Sequence, residues 1–144
     1  MEFAVKTIKR LLLQAGAALL ALGCSAGGPA THAVSGKLVL EGGDISLLAG
    51  GSLEGSLEGE PSVRASGEIK PDGSFTLETL QNGAIVKGAR GGTFKARVIL
   101  PDDDPKAKRA AALAVNRKFL SFDSSGLSFK SPPEGPVTLR LAKP

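Results

Sequence analysis

Few side chains in this sequence of 144 residues have the chemistry of a reaction centre. There is one cysteine, Cys24, one histidine, His32, and a run of three aspartates at positions 102–104. A histidine-based catalytic triad requires an imidazole held rigidly beside a nucleophile and an orienting acid. His32 stands in a small, polar, glycine- and proline-containing segment, residues 25–33, which cannot supply that rigidity. We therefore expect an incidental histidine and a protein that is not an enzyme.

The aspartate run is the only candidate metal site, and calcium is the cation it suggests. Clustered carboxylates on a loop can bind a hard cation, but calcium takes six to eight oxygen ligands and the EF-hand spacing does not occur here. The competing interpretation is a helix start, in which Asp104 caps a helix whose first residue is Pro105. Zinc requires three or four Cys, His or carboxylate ligands. We expect no metal and no cofactor, with Asp102, Asp103 and Asp104 as the residues to test.

The lone cysteine follows a segment with the features of an export signal. Three basic residues within positions 6–10 precede an almost unbroken apolar run over residues 11–22. That run is shorter than the ~20 residues of a membrane span, but it suits a secretory signal. It ends in the sequence LALGC at Cys24, which resembles a bacterial lipoprotein signal, where the cysteine becomes a diacylglycerol-linked N-terminus. The alternative is an ordinary cleaved signal with an incidental cysteine.

The lipoprotein resemblance implies both a location and a use for the thiol. Residues 1–23 would be a helical signal peptide, and Cys24 would anchor the exported protein to the extracytoplasmic face of a bacterial membrane. A single cysteine cannot form a disulfide within the chain, so lipidation gives it a function. Without residues 1–23 the chain keeps 15 of its 18 basic and 13 of its 14 acidic residues. Export and this small positive charge argue against nucleic acid as a partner.

A second charged feature is a basic group late in the chain. It consists of Lys106, Lys108, Arg109, Arg117 and Lys118. On one helix, residues 106, 109 and 117 would share a face that attracts anionic lipid headgroups or acidic polysaccharide. The competing interpretation is a solvated helix face, since the aspartate run partly cancels the field. The absence of Trp and Tyr argues against carbohydrate binding by aromatic stacking.

The elements that must position these residues are mainly strands. Residues 63–69 and 75–80 alternate between apolar and polar side chains on either side of Pro71-Asp72-Gly73. Period-two alternation around such a turn predicts an antiparallel hairpin. Similar alternation predicts strands at 34–40, 94–100, 127–129 and 137–141.

The remaining segments have weaker patterns. Residues 45–49 predict a short buried strand, and the repeat over 51–59 predicts a strand near a sheet edge because its glycines weaken it. The four glycines of residues 81–92 predict a mobile loop. The alanine-rich run to residue 115 predicts a short helix beginning at Pro105. Phe119 and Phe122 are expected to return the chain to the core.

Together these elements predict an all-β protein, an antiparallel β-sandwich of about seven strands with one short helix near 105–115. The segments HAVSGKLVLEGG, ASGEIKPDGSFTLET and GTFKARVILP resemble the carboxypeptidase regulatory-like domain, a transthyretin-like sandwich. With the cysteine, the chain resembles small lipoproteins of planctomycete-type bacteria. The resemblance implies a tether over 24–33, a domain over 34–144, and a non-catalytic module making structural or binding contacts with envelope protein or polysaccharide. The alternative is a carrier of a small ligand or polysaccharide.

Overall fold

The computed structural model of the protein describes residues 28–144, which fold into two layers of β-sheet. The predictions for residues 1–27, including the signal peptide and Cys24, lie outside the described residues. The described strands are β1 (Thr31–His32), β2 (Ser35–Leu40), β3 (Ser52–Leu57), β4 (Glu60–Glu68), β5 (Ser74–Thr76), β6 (Glu78–Gln81), β7 (Ala84–Lys87), β8 (Ala89–Arg90), β9 (Gly92–Ile99), β10 (Leu127–Ser131) and β11 (Val137–Leu141). The helices are α1 (Pro105–Ala114) and α2 (Phe122–Ser125), with 3-10 helices at Ile45–Leu48 and Arg117–Leu120.

The sheet topology confirms the predicted all-β sandwich. One layer has six antiparallel strands in the order β10-β9-β3-β4-β6-β7, and the other has three in the order β11-β2-β5. Among the pairings of the described residues, only that of β2 with β11 is parallel. The short strands β1 and β8 pair separately. Eleven strands are present within residues 28–144 instead of about seven, because the Gly-rich segment adds β7 and β8, the predicted tether contains β1, and the segment after Gly73 is divided into β5 and β6.

The core lies between the layers and is built from inward positions of the alternating strands. Its largest fully buried side chains include Phe75, Phe94, Leu38, Leu53 and Ile69. The rings of Phe94 and Phe129 stack with their centroids 5.1 Å apart and their planes 3° from parallel. With no Trp or Tyr in the chain, these rings and the aliphatic side chains supply the apolar burial that stabilises the fold.

The predicted turn at Pro71–Gly73 is present, but the strands on either side of it do not pair as a simple hairpin. The carboxylate of Asp72 accepts hydrogen bonds from the backbone N and Oγ of Ser74, and Gly73 has a φ of 85°. After the turn, β5 pairs with β2 in the three-stranded sheet, whereas β6 pairs with β4. The chain therefore moves from one layer to the other near Leu77, a partner choice that alternation does not encode.

Two other strand predictions are wrong in type or position. Ile45–Leu48 is a 3-10 helix because the carboxylate of Asp44 accepts from the backbone N of Ser46 and caps it. The repeat over 51–59 forms β3, which lies between β4 and β9 instead of at an edge. Its glycine at position 55 is needed there because the Phe94 and Phe129 rings pack against the backbone.

The predicted mobile loop over 81–92 is a hairpin followed by a short strand. Asn82 and Gly83 both have positive φ, 50° and 78°, which is the geometry of a tight two-residue turn between β6 and β7. β8 then pairs with β1, so ordered pairing begins at Thr31, inside the predicted tether. This pairing requires the backbone at Gly88 to lie close to that of His32, since any side chain at Gly88 would collide with the backbone oxygen of His32.

The predicted helix is confirmed, although it is too short to include all five residues of the basic group. The carboxylate of Asp104 accepts a hydrogen bond from the backbone N of Lys106 at 3.1 Å, and Pro105 is the first helical residue. Because α1 ends at Ala114, Arg117 does not share its face and instead begins the 3-10 helix Arg117–Leu120. No helix within residues 28–144 is long and apolar enough to cross a membrane.

Candidate functional site

A cleft lies on the outer face of the six-stranded sheet, between the sheet and α2. Its volume is about 430 Å³. The side chains that line it come from β3, β4, β9, α2 and the connection between β3 and β4. They include Ser56, Glu58, Arg64, Lys95, Arg97 and Phe122. The cleft therefore combines three cationic side chains, the carboxylates of Glu58 and Asp123, and one aromatic ring.

Two arginines at the cleft share one carboxylate oxygen. Arg97 lies directly opposite Glu54 in the β3–β9 pair, and its Nη2 is 3.1 Å from Oε1 of Glu54. Arg64 is on the neighbouring strand β4, and its Nη1 is 2.6 Å from the same oxygen. Alternation places all three side chains on the outer face of the sheet. The Glu54 side chain is only 17% exposed, so water screens both ion pairs less than it would on an open surface.

The Phe122 ring is the second feature that holds the two guanidinium groups. The central carbon of Arg64 lies 4.8 Å from the ring centroid, and that of Arg97 lies 4.6 Å away. Both distances are within the range of cation–π attraction, which is worth about 0.5–1 kcal/mol at exposed sites. The prediction that Phe122 returns the chain to the core is wrong, because it is half-buried on the outer face. Phe119 does reach the core.

The last residue of α2, Ser125, attaches this helix to strand β9. The buried hydroxyl of Ser125 donates to the backbone oxygen of Ala96 on β9 and accepts from the backbone N of Leu127. Gly126, with a φ of 67°, then ends the helix and turns the chain into β10. Phe122 is thus set one helical turn before an anchored serine, which holds its ring beside the arginines.

The chemistry available in the cleft is anion recognition. A guanidinium group presents planar N–H donors that match the geometry of a carboxylate or phosphate. The side chain of Arg64 is 46% exposed and that of Arg97 is 33% exposed, so both retain surface toward solvent after pairing with Glu54. Within residues 28–144, the enclosed Nε of Arg97 has no hydrogen-bond partner. Glu58 and Asp123 also line the cleft, so an anionic group would be favoured only near the arginines.

Two of the three aspartates proposed as candidate calcium ligands make other contacts. Asp104 caps α1, and Oδ1 of Asp102 is 2.6 Å from Nζ of Lys108. Asp103 is exposed. In the part of the chain from residue 28 onward, no group of three or more His, Cys, Asp or Glu side chains is arranged to hold a metal ion. Asp104 thus serves as the helix cap and Asp102 pairs with a side chain of α1.

The arginine cleft is not foreseen by the sequence, and the signal for it is indirect. Glu54, Arg64 and Arg97 occupy outward positions of three predicted strands, which marks them as surface residues and nothing more. Their convergence depends on the strand order β9-β3-β4, which brings residues 43 positions apart into contact. No family model, curated protein or solved structure matches this chain.

Proposed function

We propose that this protein is a non-enzymatic, lipid-anchored envelope module that binds an acidic component of the cell envelope through the arginine cleft. The observation that carries the proposal is the pairing of Arg64 and Arg97 with one oxygen of Glu54 beside the Phe122 ring. The ligand class is one with carboxylate or phosphate groups, such as an acidic polysaccharide. The aromatic ring and the arginines together form the recognition surface.

Preorganisation is the physical reason for choosing this cleft. Free arginine side chains lose rotamer freedom on binding, at a cost of about 0.5–1.5 kcal/mol for each immobilised side chain. Here Glu54 and Phe122 already restrict both guanidinium groups, so less of that freedom remains to be lost. The volume of about 430 Å³ lies within the usual range for small-ligand sites.

The anchor belongs to the same proposal and rests on the sequence. The signal-like segment before Cys24 supports export and attachment to the extracytoplasmic face of a bacterial membrane. The three motifs that resemble the carboxypeptidase regulatory-like domain fall on β2, on the β4–β5 turn and on β9. We therefore include membership of that family in the proposal, as a sandwich presented at the membrane surface.

The test is affinity electrophoresis of the full chain in gels that contain polygalacturonate, a carboxylate polymer, or neutral dextran. We expect retardation by polygalacturonate only. The double variant Arg64→Gln/Arg97→Gln should bind about tenfold more weakly or worse, because charge-assisted hydrogen bonds are worth about 1.5–3 kcal/mol each. A matched variant, Arg109→Gln/Arg140→Gln, removes the same charge from exposed positions elsewhere. An equal loss of polygalacturonate binding in the two double variants would contradict specific binding at the cleft.

A small-ligand carrier is the second candidate, and the volume of the same cleft, about 430 Å³, favours it. A carrier would bind the monomeric acid nearly as well as the polymer, because one ligand unit would occupy the whole cleft. Competition with free galacturonate at matched carboxylate concentration separates the two. Full displacement by the monomer favours the carrier, whereas poor displacement favours a polymer-binding module with several weak contacts.

A further inference from the structure

We infer that the β6–β7 hairpin docks on the lipid bilayer through Leu80 and Ile85. These two side chains face each other across the strand pair, and each is 71% exposed. Single exposed apolar residues are normal on protein surfaces, but a directly paired Leu and Ile beside a tight turn form a small continuous apolar surface. The inference rests on the proposed lipidation of Cys24, because the anchor brings the hairpin to the membrane.

The path of the chain supports the bilayer as the occupant. Gly28 lies against the hairpin turn, where a Cβ on it would be 3.5 Å from Nε2 of Gln81 and 3.7 Å from Nδ2 of Asn82. Nε2 of Gln81 also donates to the backbone oxygen of Pro29 at 3.4 Å. Only residues 25–27 separate Gly28 from Cys24. At about 3.5 Å per residue, an extended chain places the two Cα atoms at most ~14 Å apart.

The same hairpin end also has a shallow hollow of about 240 Å³ beside the exposed pair. Pro29, Leu80, Arg64 and Arg90 are among the residues that line it. Since Pro29 leads directly toward the anchor, this hollow lies where the chain would leave the membrane. Arg64 lines the arginine cleft as well, so docking of the hairpin would set the cleft beside the bilayer surface.

The charges around the pair indicate how the contact would form. Lys87 lies opposite Glu78 in the β6–β7 register, Arg90 pairs with Glu60 at 3.2 Å, and Arg64 pairs with Glu54 at 2.6 Å. Because these charges largely cancel, anionic headgroups would gain little from the surface. The contact is therefore apolar, with the two side chains entering the interfacial region of the bilayer. Docking should not depend on anionic lipid.

The experiment uses the full lipidated chain in phosphatidylcholine vesicles, with a cysteine introduced for an environment-sensitive fluorophore. Cys24 is the only natural cysteine, so lipidation leaves the introduced thiol as the sole labelling site. Ala84→Cys places the label on the exposed start of β7. Asp103→Cys places it beyond the far end of β9, next to α1. A spin-labelled lipid with a shallow nitroxide then quenches labels that lie at the interface.

We expect the label at position 84 to be quenched about twofold or more strongly than the label at 103, with or without added phosphatidylglycerol. Leu80→Ser/Ile85→Ser should remove that difference while the protein still sediments with vesicles. Leu113→Ser, at a residue 76% exposed on α1, should leave it unchanged. Circular dichroism of each variant verifies that the sheet is intact.

Each other outcome overturns the inference in a distinguishable way. Equal quenching at both positions in lipidated protein would overturn hairpin docking alone and leave the anchor standing. Energy transfer between labels at position 84 on two copies, without quenching by lipid, would show that a second copy covers the pair. A requirement for phosphatidylglycerol would overturn the apolar contact. Labelling of the wild-type chain, which reveals a free thiol at Cys24, would overturn both the anchor and the docking.

Discussion

The ring of Phe129 occupies the space beside Gly55 in β3 that a Cβ at this position would need. A Cβ on Gly55 would lie 2.8 Å from Cζ of Phe129 and 3.2 Å from Cδ1 of Phe94. These rings are stacked on each other in the core, so a shift of one ring to make room would press on the other. We predict that Gly55→Ala lowers the free energy of unfolding by about 1–3 kcal/mol, which is typical of overpacking. Urea denaturation followed by circular dichroism measures the change.

The control for this variant is Gly135→Ala. Gly135 is exposed, and a Cβ there meets no atom within 4 Å. Its free energy of unfolding should stay within about 0.5 kcal/mol of the wild type. If Gly55→Ala is as stable as Gly135→Ala, the ring contact does not restrict this position. Adding Phe129→Leu to Gly55→Ala should recover part of the loss if steric crowding is the cause.

Alternation within single segments correctly predicts much of the fold. The strand over 94–100 and the helix beginning at Pro105 need only local information, namely period-two patterning and a cap. The Pro71–Gly73 turn is local too. Asn82-Gly83 is a strong local signal for a hairpin, whereas the four glycines of residues 81–92 favour a mobile loop.

Pairing partners and the cleft depend on contacts distant in sequence. Nothing in the alternation of 74–81 indicates that its two halves join different sheets. An outward arginine has the same pattern whether it is solvated or paired, so Arg64 and Arg97 are not distinguished from other surface cations. The sequence pattern predicts Phe122 in the core because aromatic residues are usually buried. Its use as a platform for guanidinium groups becomes visible only when β9, β3 and β4 are neighbours.

Glu54 allows a test in which stability and binding change in opposite directions. We predict that Glu54→Gln lowers the free energy of unfolding by about 1 kcal/mol, because two arginines lose a partly screened counter-charge. The same change should strengthen binding to polygalacturonate, because the side-chain oxygen of Gln can still accept from both arginines and position them, while the opposing negative charge is removed. Chemical denaturation and affinity electrophoresis measure the two effects.

The matched control is Glu68→Gln. Glu68 is exposed on β4, and its side chain lies on the same face of the sheet as that of Glu54. It changes the net charge equally and should alter neither quantity appreciably. Weaker polymer binding by Glu54→Gln would contradict the prediction, because it would mean that Glu54 matters more for positioning the arginines than for opposing an anion.

The lowered pKa of Asp72 predicts that the stability of the fold depends on pH in the acidic range. Hydrogen bonds from the Ser74 hydroxyl and then from its backbone N lower the pKa of this carboxyl below its ordinary value of 3.8. A carboxyl with a lowered pKa in the folded state stabilises the fold above its unfolded pKa and loses that contribution as pH falls through the folded value. Wild type should therefore lose stability relative to Asp72→Asn below about pH 4. Thermal unfolding from about pH 6 to about pH 2 measures the difference.

The comparison variant for the acid titration is Asp103→Asn, whose side chain is exposed and outside these hydrogen bonds. Its stability should follow that of the wild type across the same range. Asp72→Asn keeps an oxygen that can accept from Ser74, so the turn survives and only the titration is removed. If the wild type and Asp72→Asn lose stability in parallel on acidification, Asp72 does not contribute to the pH dependence.

Cys24→Ser tests the anchor on which the location of the module depends. We predict that the variant loses incorporation of a radiolabelled fatty acid and moves from the membrane fraction to the soluble fraction, or remains unprocessed. The physical reason is that two or more acyl chains hold a protein stably at a bilayer, whereas the hairpin pair alone would bind only weakly and reversibly. Ser25→Ala, one residue along, is the control and should behave as the wild type. Fatty-acid labelling of Cys24→Ser at the wild-type level would contradict the assignment, because the acyl groups would then be attached elsewhere.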